Sequence, residues 1–175
     1  LAISDEVSMS LQSHIRQQTI KDMAAEGKQM PEHPAYAVID VMLNEFNRAG
    51  KAAGAGFYEY PQGGKKFLWP QLKAHFEKAD RQLSQEDVRD RILFIQAIET
   101  VRCLEEGVLR SVADANIGSI FGIGFAAWTG GALQFINQYG VKDFVARAQY
   151  LAEQYGERFL PPALLLEKAA KGETF

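Results

Sequence analysis

Three groups of residues have types and spacings that could do chemistry. The first is Gly50-Lys51-Ala52-Ala53-Gly54-Ala55-Gly56-Phe57-Tyr58-Glu59-Tyr60, where three glycines precede a run of aromatic residues. Glycines so spaced permit positive φ and close backbone approach, as a phosphate-cradling loop requires. No Gly-x-x-x-x-Gly-Lys-Ser/Thr run is present, however, and no strand pattern precedes the glycines as a dinucleotide fingerprint demands. The favoured reading is a tight turn that Phe57 and Tyr58 anchor into a core, with a ligand loop as the alternative. The second group, Gly122 to Gly131, holds four glycines together with Phe125 and Trp128. Such a stretch is costly in backbone entropy unless geometry demands it. It joins two helices, so it is either a pocket lining whose amides face an anion or a packed helix–helix corner.

The third group is the titratable inventory. His14, His33 and His75 are far apart and lack metal-ligand spacing. Glu99, Glu105 and Glu106 share one helix, with Glu99 nearest the apolar stripe and expected to be partly buried. No triad and no general acid/base pair follows from spacing alone. The single cysteine, Cys103, excludes an intrachain disulfide and fits a reducing compartment. It falls on an apolar helix face with no His nearby, which reads as a buried structural thiol.

The elements that must position these groups are helical. Apolar residues recur at Val7, Leu11, Ile15, Ile20 and Met23, which predicts one helix from Asp5 to Glu26, stopped by Gly27. A second should follow Pro34, with Ala37, Val38, Val41, Met42 and Phe46 inward. The clearest runs from about Gln85 to Glu106, with Ser84 as N-cap, Asp87 in the capping-box position and Gly107 as stop. Its expected apolar positions are Ile92, Ile95, Ile98, Val101, Cys103 and Leu104. Shorter helices are predicted over Ser111–Phe121, Gly130–Gln138, Val141–Tyr155 and Pro162–Lys171. No sustained period-two pattern appears, so the fold class is all-α. The polar stretch Lys78 to Gln85 reads as a connector between units 1–80 and 81–175. The two halves echo each other faintly, each carrying a proline, an apolar helix, and then an aromatic (Phe57, Phe175).

Composition bounds the partners. With 175 residues, 47% of them hydrophobic, the chain can bury one domain core or two small ones. Lys+Arg 19 against Asp+Glu 22 gives a formal charge of -3, and the longest basic run is Lys65-Lys66. That is no footprint for nucleic acid. No apolar run approaches the roughly 20 residues needed to span a bilayer. Leu1-Ala2-Ile3-Ser4-Asp5 carries neither a basic nor an apolar signal region, and a start without Met suggests a cut or processed chain.

At these same residues the chain resembles the C-terminal domain of 3-hydroxyacyl-CoA dehydrogenases, above all bacterial multifunctional enzymes that also carry an enoyl-CoA hydratase. The resemblance lies in Gly50-Lys51-x-x-Gly54-x-Gly56-Phe57-Tyr58-x-Tyr60 and in Gly63 to Leu72. It continues through Arg91 to Gly107, Ala113 to Ile120, and Gly122 to Gly131, and so covers essentially the whole chain. It implies a helical domain of two related halves, the first truncated, and part of an NAD-dependent oxidation of (3S)-3-hydroxyacyl-CoA. NAD and the family's His–Glu pair belong to a Rossmann domain absent from this chain. The chain alone is therefore expected to be inactive, with no catalytic, cofactor or metal residue.

The Asn that opens the first helix of the family's domain has no counterpart here. Asp90 stands in the related place of the second half, the non-catalytic copy. The resemblance assigns substrate contact to the corner Phe121, Gly122, Gly124 and Phe125. It also implies an acyl-CoA substrate, the Rossmann domain, a possible thiolase subunit and a homo-oligomer as partners, in the cytoplasm. Ala126-Ala127 depart from the family's Pro-Pro, which should loosen the corner. Asn116 stands where Asp is common, keeping a cap or turn role without the charge. The alternative is a non-enzymatic helical interaction module that retains only the fold.

Overall fold

A computed structural model describes all 175 residues. The chain divides into two units, Leu1–Asp80 and Arg81–Phe175, each with its own apolar core. The fold is all-α: nine helices and one short hairpin.

The first unit contains α1 (Ala2–Val7), α2 (Met9–Ala25), α3 (Pro34–Asn44), strands β1 (Tyr58–Glu59) and β2 (Phe67–Leu68), and α4 (Leu72–Phe76). The single helix expected over Asp5–Glu26 is broken at Ser8, which sits at φ 72 while its hydroxyl accepts the Leu11 N–H at 3.1 Å. The apolar stripe continues through the break, so periodicity could not reveal it. Nor does the stripe face inward: Val7, Leu11, Ile15 and Ile20 are all exposed. The polar side of α2 carries the contact to α3, where the Arg16 guanidinium donates to both Asp40 oxygens at 3.1 and 2.6 Å. Met9, Ile39, Met42, Phe57 and Trp69 form the core. On α3, Ile39 therefore takes the inward place expected of Ala37, which is exposed. His33 caps this helix, its Nδ1 accepting the Ala35 N–H at 3.2 Å. The antiparallel hairpin, Tyr58 opposite Leu68 and Glu59 opposite Phe67, corrects the strandless expectation. Two-residue strands are too short to leave an alternating pattern.

One buried side chain organises this unit. Asp5, fully buried, accepts hydrogen bonds from the Phe57 N–H (2.8 Å), the Tyr58 N–H (2.9 Å) and the Tyr60 hydroxyl (2.8 Å). Burial and the neighbouring carboxylate push the Tyr60 hydroxyl far above its ordinary pKa. Gly56 lies against this carboxylate so closely that any Cβ would overlap it. Gly50, at φ 130, would place a Cβ 2.6 Å from the Asp5 carbonyl oxygen. On the other side of the loop, Arg48 Nε donates to the Gly56 carbonyl at 2.7 Å and Nη2 to that of Tyr58 at 3.2 Å. Its guanidinium also meets Glu59 at 3.0 Å and lies over the Trp69 ring at 4.5 Å.

The second unit contains α5 (Gln85–Glu105), α6 (Val112–Ile123), α7 (Ala132–Tyr139), α8 (Val141–Tyr155) and α9 (Ala163–Lys171). The Ser84 hydroxyl accepts the Asp87 N–H at 3.0 Å, so α5 starts where its capping residues place it. Phe94, Ala97, Ile98 and Val101 carry the inner face of α5, whereas Ile92, expected there, is exposed. The Phe94 and Phe144 rings stack at 4.0 Å between centroids. The Glu105 carboxylate caps α9 by accepting the Leu164 N–H at 2.7 Å.

The clamp of the first unit has a counterpart here. Asn137, near the end of α7, accepts the Phe175 N–H at 2.9 Å and donates to the Phe175 carbonyl at 3.2 Å. Three residues after each clamp comes a positive φ, 72 at Ser8 and 92 at Gly140, followed by a buried helix start, Met9 or Val141.

Replacing Asp5 by Ala strands the buried Phe57 amide and removes three bonds to a charged group. We expect a loss on the order of 3 kcal/mol or more from the first unit. Urea unfolding followed at Trp69, buried in that unit, measures it.

Candidate functional site

Each glycine-rich segment can be examined by asking where its amides point. In the loop 50–60, the Gly50 N–H donates to Ala55, Gly54 to Lys51, Ala55 to Gly50 and Gly56 to Tyr58, while Phe57 and Tyr58 donate to Asp5. None of these amides remains for a phosphate. The loop is the anchored turn, and its residues do not fit a dinucleotide pyrophosphate.

The corner between α6 and α7 is equally committed. Asn116 Oδ1 accepts the N–H groups of both Leu133 and Gln134 at 3.0 Å. The Ser119 hydroxyl accepts the Ala132 N–H at 3.0 Å, and that of Thr129 accepts the Gly131 N–H at 3.2 Å. The first turn of α7 is thus satisfied by side chains and has no amide to offer an anion. Gly131 must be glycine, since a Cβ there would lie 2.5 Å from the Asn116 Cα. The packed-corner reading of this segment holds.

What the corner does present is apolar. Phe121 is 85% exposed, Trp128 77% and Ile123 61%. Gly122 and Gly124 are exposed beside them. Phe125 differs: it is 3% exposed, and its ring packs on Phe135 with centroids 5.9 Å apart. Of the four candidate contact residues, three face solvent and Phe125 anchors the corner from within.

The charged candidates are structural. Asp90, 1% exposed, accepts from Arg89 Nε and Nη2 at 3.0 and 2.9 Å and from Arg147 Nε at 2.8 Å. Asp87 accepts from Arg147 Nη2 and the Tyr155 hydroxyl, both at 2.6 Å. These carboxylates tie the start of α5 to α8. The Tyr155 hydroxyl and Arg147 hold the Asp87 carboxyl below its ordinary pKa. Glu99, expected to be partly buried, is exposed and paired with Arg102 at 2.6 Å. Cys103 is half-buried in a cleft wall rather than sealed in the core. No three His, Cys, Asp or Glu residues converge on a metal position. A groove of about 900 Å³ between α2 and α3 carries the paired Arg16 and Asp40. Lys28 on its lip is held by Glu26 at 2.7 Å.

Sequence reasoning missed Asp5, Arg48 and Arg147. Nothing local marks them, because each acts on backbone or side chains 8 to 60 residues away.

No family model matches the chain. Over all 175 residues it is 34% identical to the fatty acid oxidation complex subunit alpha of Vibrio vulnificus (strain CMCP6). It spans 24% of that relative's length. The chain is thus similar, from end to end, to about a quarter of that subunit. The match is consistent with a C-terminal position in it.

Two outcomes follow. A carboxylate at 116 would face two amides at the start of α7, so Asn116→Asp should stabilise the second unit by about 0.5–1 kcal/mol near neutral pH. Chemical unfolding followed by circular dichroism measures the gain, which should vanish once the new carboxyl is protonated. Asp87, with a lowered folded pKa, contributes stability above the unfolded value of about 4 and loses it as pH falls through the folded value. Acid titration of Asp87→Asn should therefore show a shallower stability loss below about pH 4 than the original chain.

Proposed function

We propose that the chain is the C-terminal helical part of an NAD-dependent (3S)-3-hydroxyacyl-CoA dehydrogenase of fatty-acid β-oxidation. In the longer polypeptide it walls the acyl-CoA pocket and carries subunit contacts, and on its own it catalyses nothing. The observation that carries this reading is the 34% identity along the entire chain to a fatty acid oxidation subunit of which it spans about a quarter. The motifs at Gly50–Tyr60 and Arg91–Gly131 lie within that span and carry the same resemblance.

NAD, held by a Rossmann domain elsewhere in the polypeptide, supplies the acceptor for the hydride leaving C3 of the substrate. The residues of this chain supply shape. Phe121 offers an aromatic face, Gly122 and Gly124 let a ligand approach the backbone, and Phe125 fixes the corner by packing inward. Ala126-Ala127 leave this corner less rigid than a Pro-Pro pair would. The two units are read as related halves, the clamps at Asp5 and Asn137 being their shared feature. The exposed apolar residues Leu11 and Ile15 on α2, and Trp128 at the corner, suit contacts with other subunits or copies. An enoyl-CoA hydratase on the same polypeptide and a thiolase partner subunit complete the reading, in the cytoplasm.

The purified chain, given (3S)-3-hydroxybutyryl-CoA and NAD, should form no NADH above the uncatalysed background by near-ultraviolet absorbance. Turnover would overturn the reading, since it would require an acid–base pair and a nucleotide cradle within these residues.

A further inference from the structure

Leu1, Ile3 and Val7 stand 58%, 80% and 43% exposed along one short stretch of the first unit. Their counterparts in the second unit are covered. The clamps fix the correspondence: Asp5 matches Asn137, the positive φ of Ser8 that of Gly140, and buried Met9 the buried Val141. The same spacing carries through the next helix. The buried positions Phe144, Val145, Ala148 and Leu151 of α8 fall on Gln12, Ser13, Arg16 and Thr19 of α2. Those four are half-buried, and every residue between Ser13 and Arg16 and between Arg16 and Thr19 is exposed.

Carried back into α1, this spacing matches Leu1 to Leu133, Ile3 to Phe135 and Val7 to Tyr139. In the second unit the helices that precede α7 cover these three. Phe94 of α5 meets Phe135 and Tyr139 with centroids 5.8 and 5.1 Å apart, Phe125 just after α6 meets Phe135 at 5.9 Å, and Leu133 is fully buried. α1 is the first helix of the chain and has no such pair upon it. The first unit thus carries the apolar half of a contact that the second unit completes.

We propose that the face formed by Leu1, Ile3 and Val7 takes a helix pair of the α5–α6 kind, supplied by the segment of the longer polypeptide that leads into Leu1. The inference rests on the reading of this chain as part of a longer subunit, since it spans 24% of its relative's length. The order of elements selects the occupant. In the second unit the covering helices run directly into α7, so the upstream stretch should be about as long as 85–131. A second copy of the chain fits less well, because its α5 and α6 are already engaged by their own α7 through Phe94, Asn116 and Ser119. The correspondence also says which apolar residue stays outside the pair. Leu11 matches Asp143, which is exposed on α8.

The experiment introduces one thiol at a time, Ile3→Cys or Leu11→Cys, and follows its alkylation by N-ethylmaleimide with peptide-resolved mass spectrometry. Cys103 serves as the internal reference. Each variant is measured in the 175-residue chain, in the longer polypeptide, and in that polypeptide cut back to one stretch the length of 85–131 before Leu1. In the 175-residue chain both thiols should react as exposed ones. In the two longer proteins the rate at position 3 should fall on the order of a hundredfold, while the rate at position 11 holds within about threefold.

The proposal is overturned if position 3 stays reactive in the longer polypeptide, if positions 3 and 11 are shielded together, or if the cut-back protein, folded by circular dichroism, leaves position 3 open. Should the cut-back protein not fold, the contrast between positions 3 and 11 in the longer polypeptide decides alone. It is equally overturned if position 3 is slow in the 175-residue chain and recovers on dilution, which would make a second copy the occupant. Shielding needs neither coenzyme nor substrate. A reactive thiol at position 3 would leave the functional reading standing, and NADH formation by the chain would leave the shielding.

Discussion

A helix that ends in a sharp break can hold a distant loop only if some group reaches across, and in both units a single side chain does so, fully buried at Asp5 and half-buried at Asn137. Asp5 takes two backbone amides and a phenolic hydroxyl from the segment Phe57–Tyr60. Asn137 takes the amide and carbonyl of Phe175. A buried carboxylate is costly without partners, and Asp5 meets that cost with three. The glycines follow from this contact. Gly50 and Gly56 are small because α1 and the clamp lie against them, so the segment that looks most like a ligand loop is shaped by the protein itself. Arg48 then grips the same loop from its other side and stacks on Trp69, coupling the clamp to the core.

The second unit satisfies its helix ends by the same principle of remote partners. Asn116 and Ser119 on α6 take the first amides of α7, and Glu105 on α5 takes one from α9, whose own cap is Pro162 and offers no side-chain bond. Asp87 and Asp90 meet Arg147 across from α8. The polar groups of these corners are consumed in assembling the fold. What remains outward at the α6–α7 corner is apolar surface, Phe121 and Trp128 foremost.

The residues differ in how much of this they reveal in sequence. α5 was legible because its start and stop are written locally, in Ser84, Asp87 and Gly107. α8 was legible to the residue because glycines bracket it. The break at Ser8 was hidden, since Val7, Leu11 and Ile15 keep helical spacing across it, and the hairpin was too short to alternate. Burial was harder still. Glu99 and Cys103 lie close to the apolar stripe of α5, yet one faces solvent and the other a cleft, because the stripe is narrower than its spacing suggests. The glycine-rich motifs revealed that two segments were special without revealing why. Whether their amides face a ligand or the protein depends on Asp5 and Asn116, residues 17 to 53 positions away.

The account rests on those amides being spent within the fold, and amide hydrogen exchange tests this most directly. If it is right, the amides of Phe57 and Tyr58 exchange as slowly as the core helix amides of the first unit, and those of Leu133 and Gln134 as slowly as the core of the second. Exchange of these four at the rate of open loops, while the flanking helices stay protected, would contradict it. The glycine-rich segments would then be free to bind a ligand.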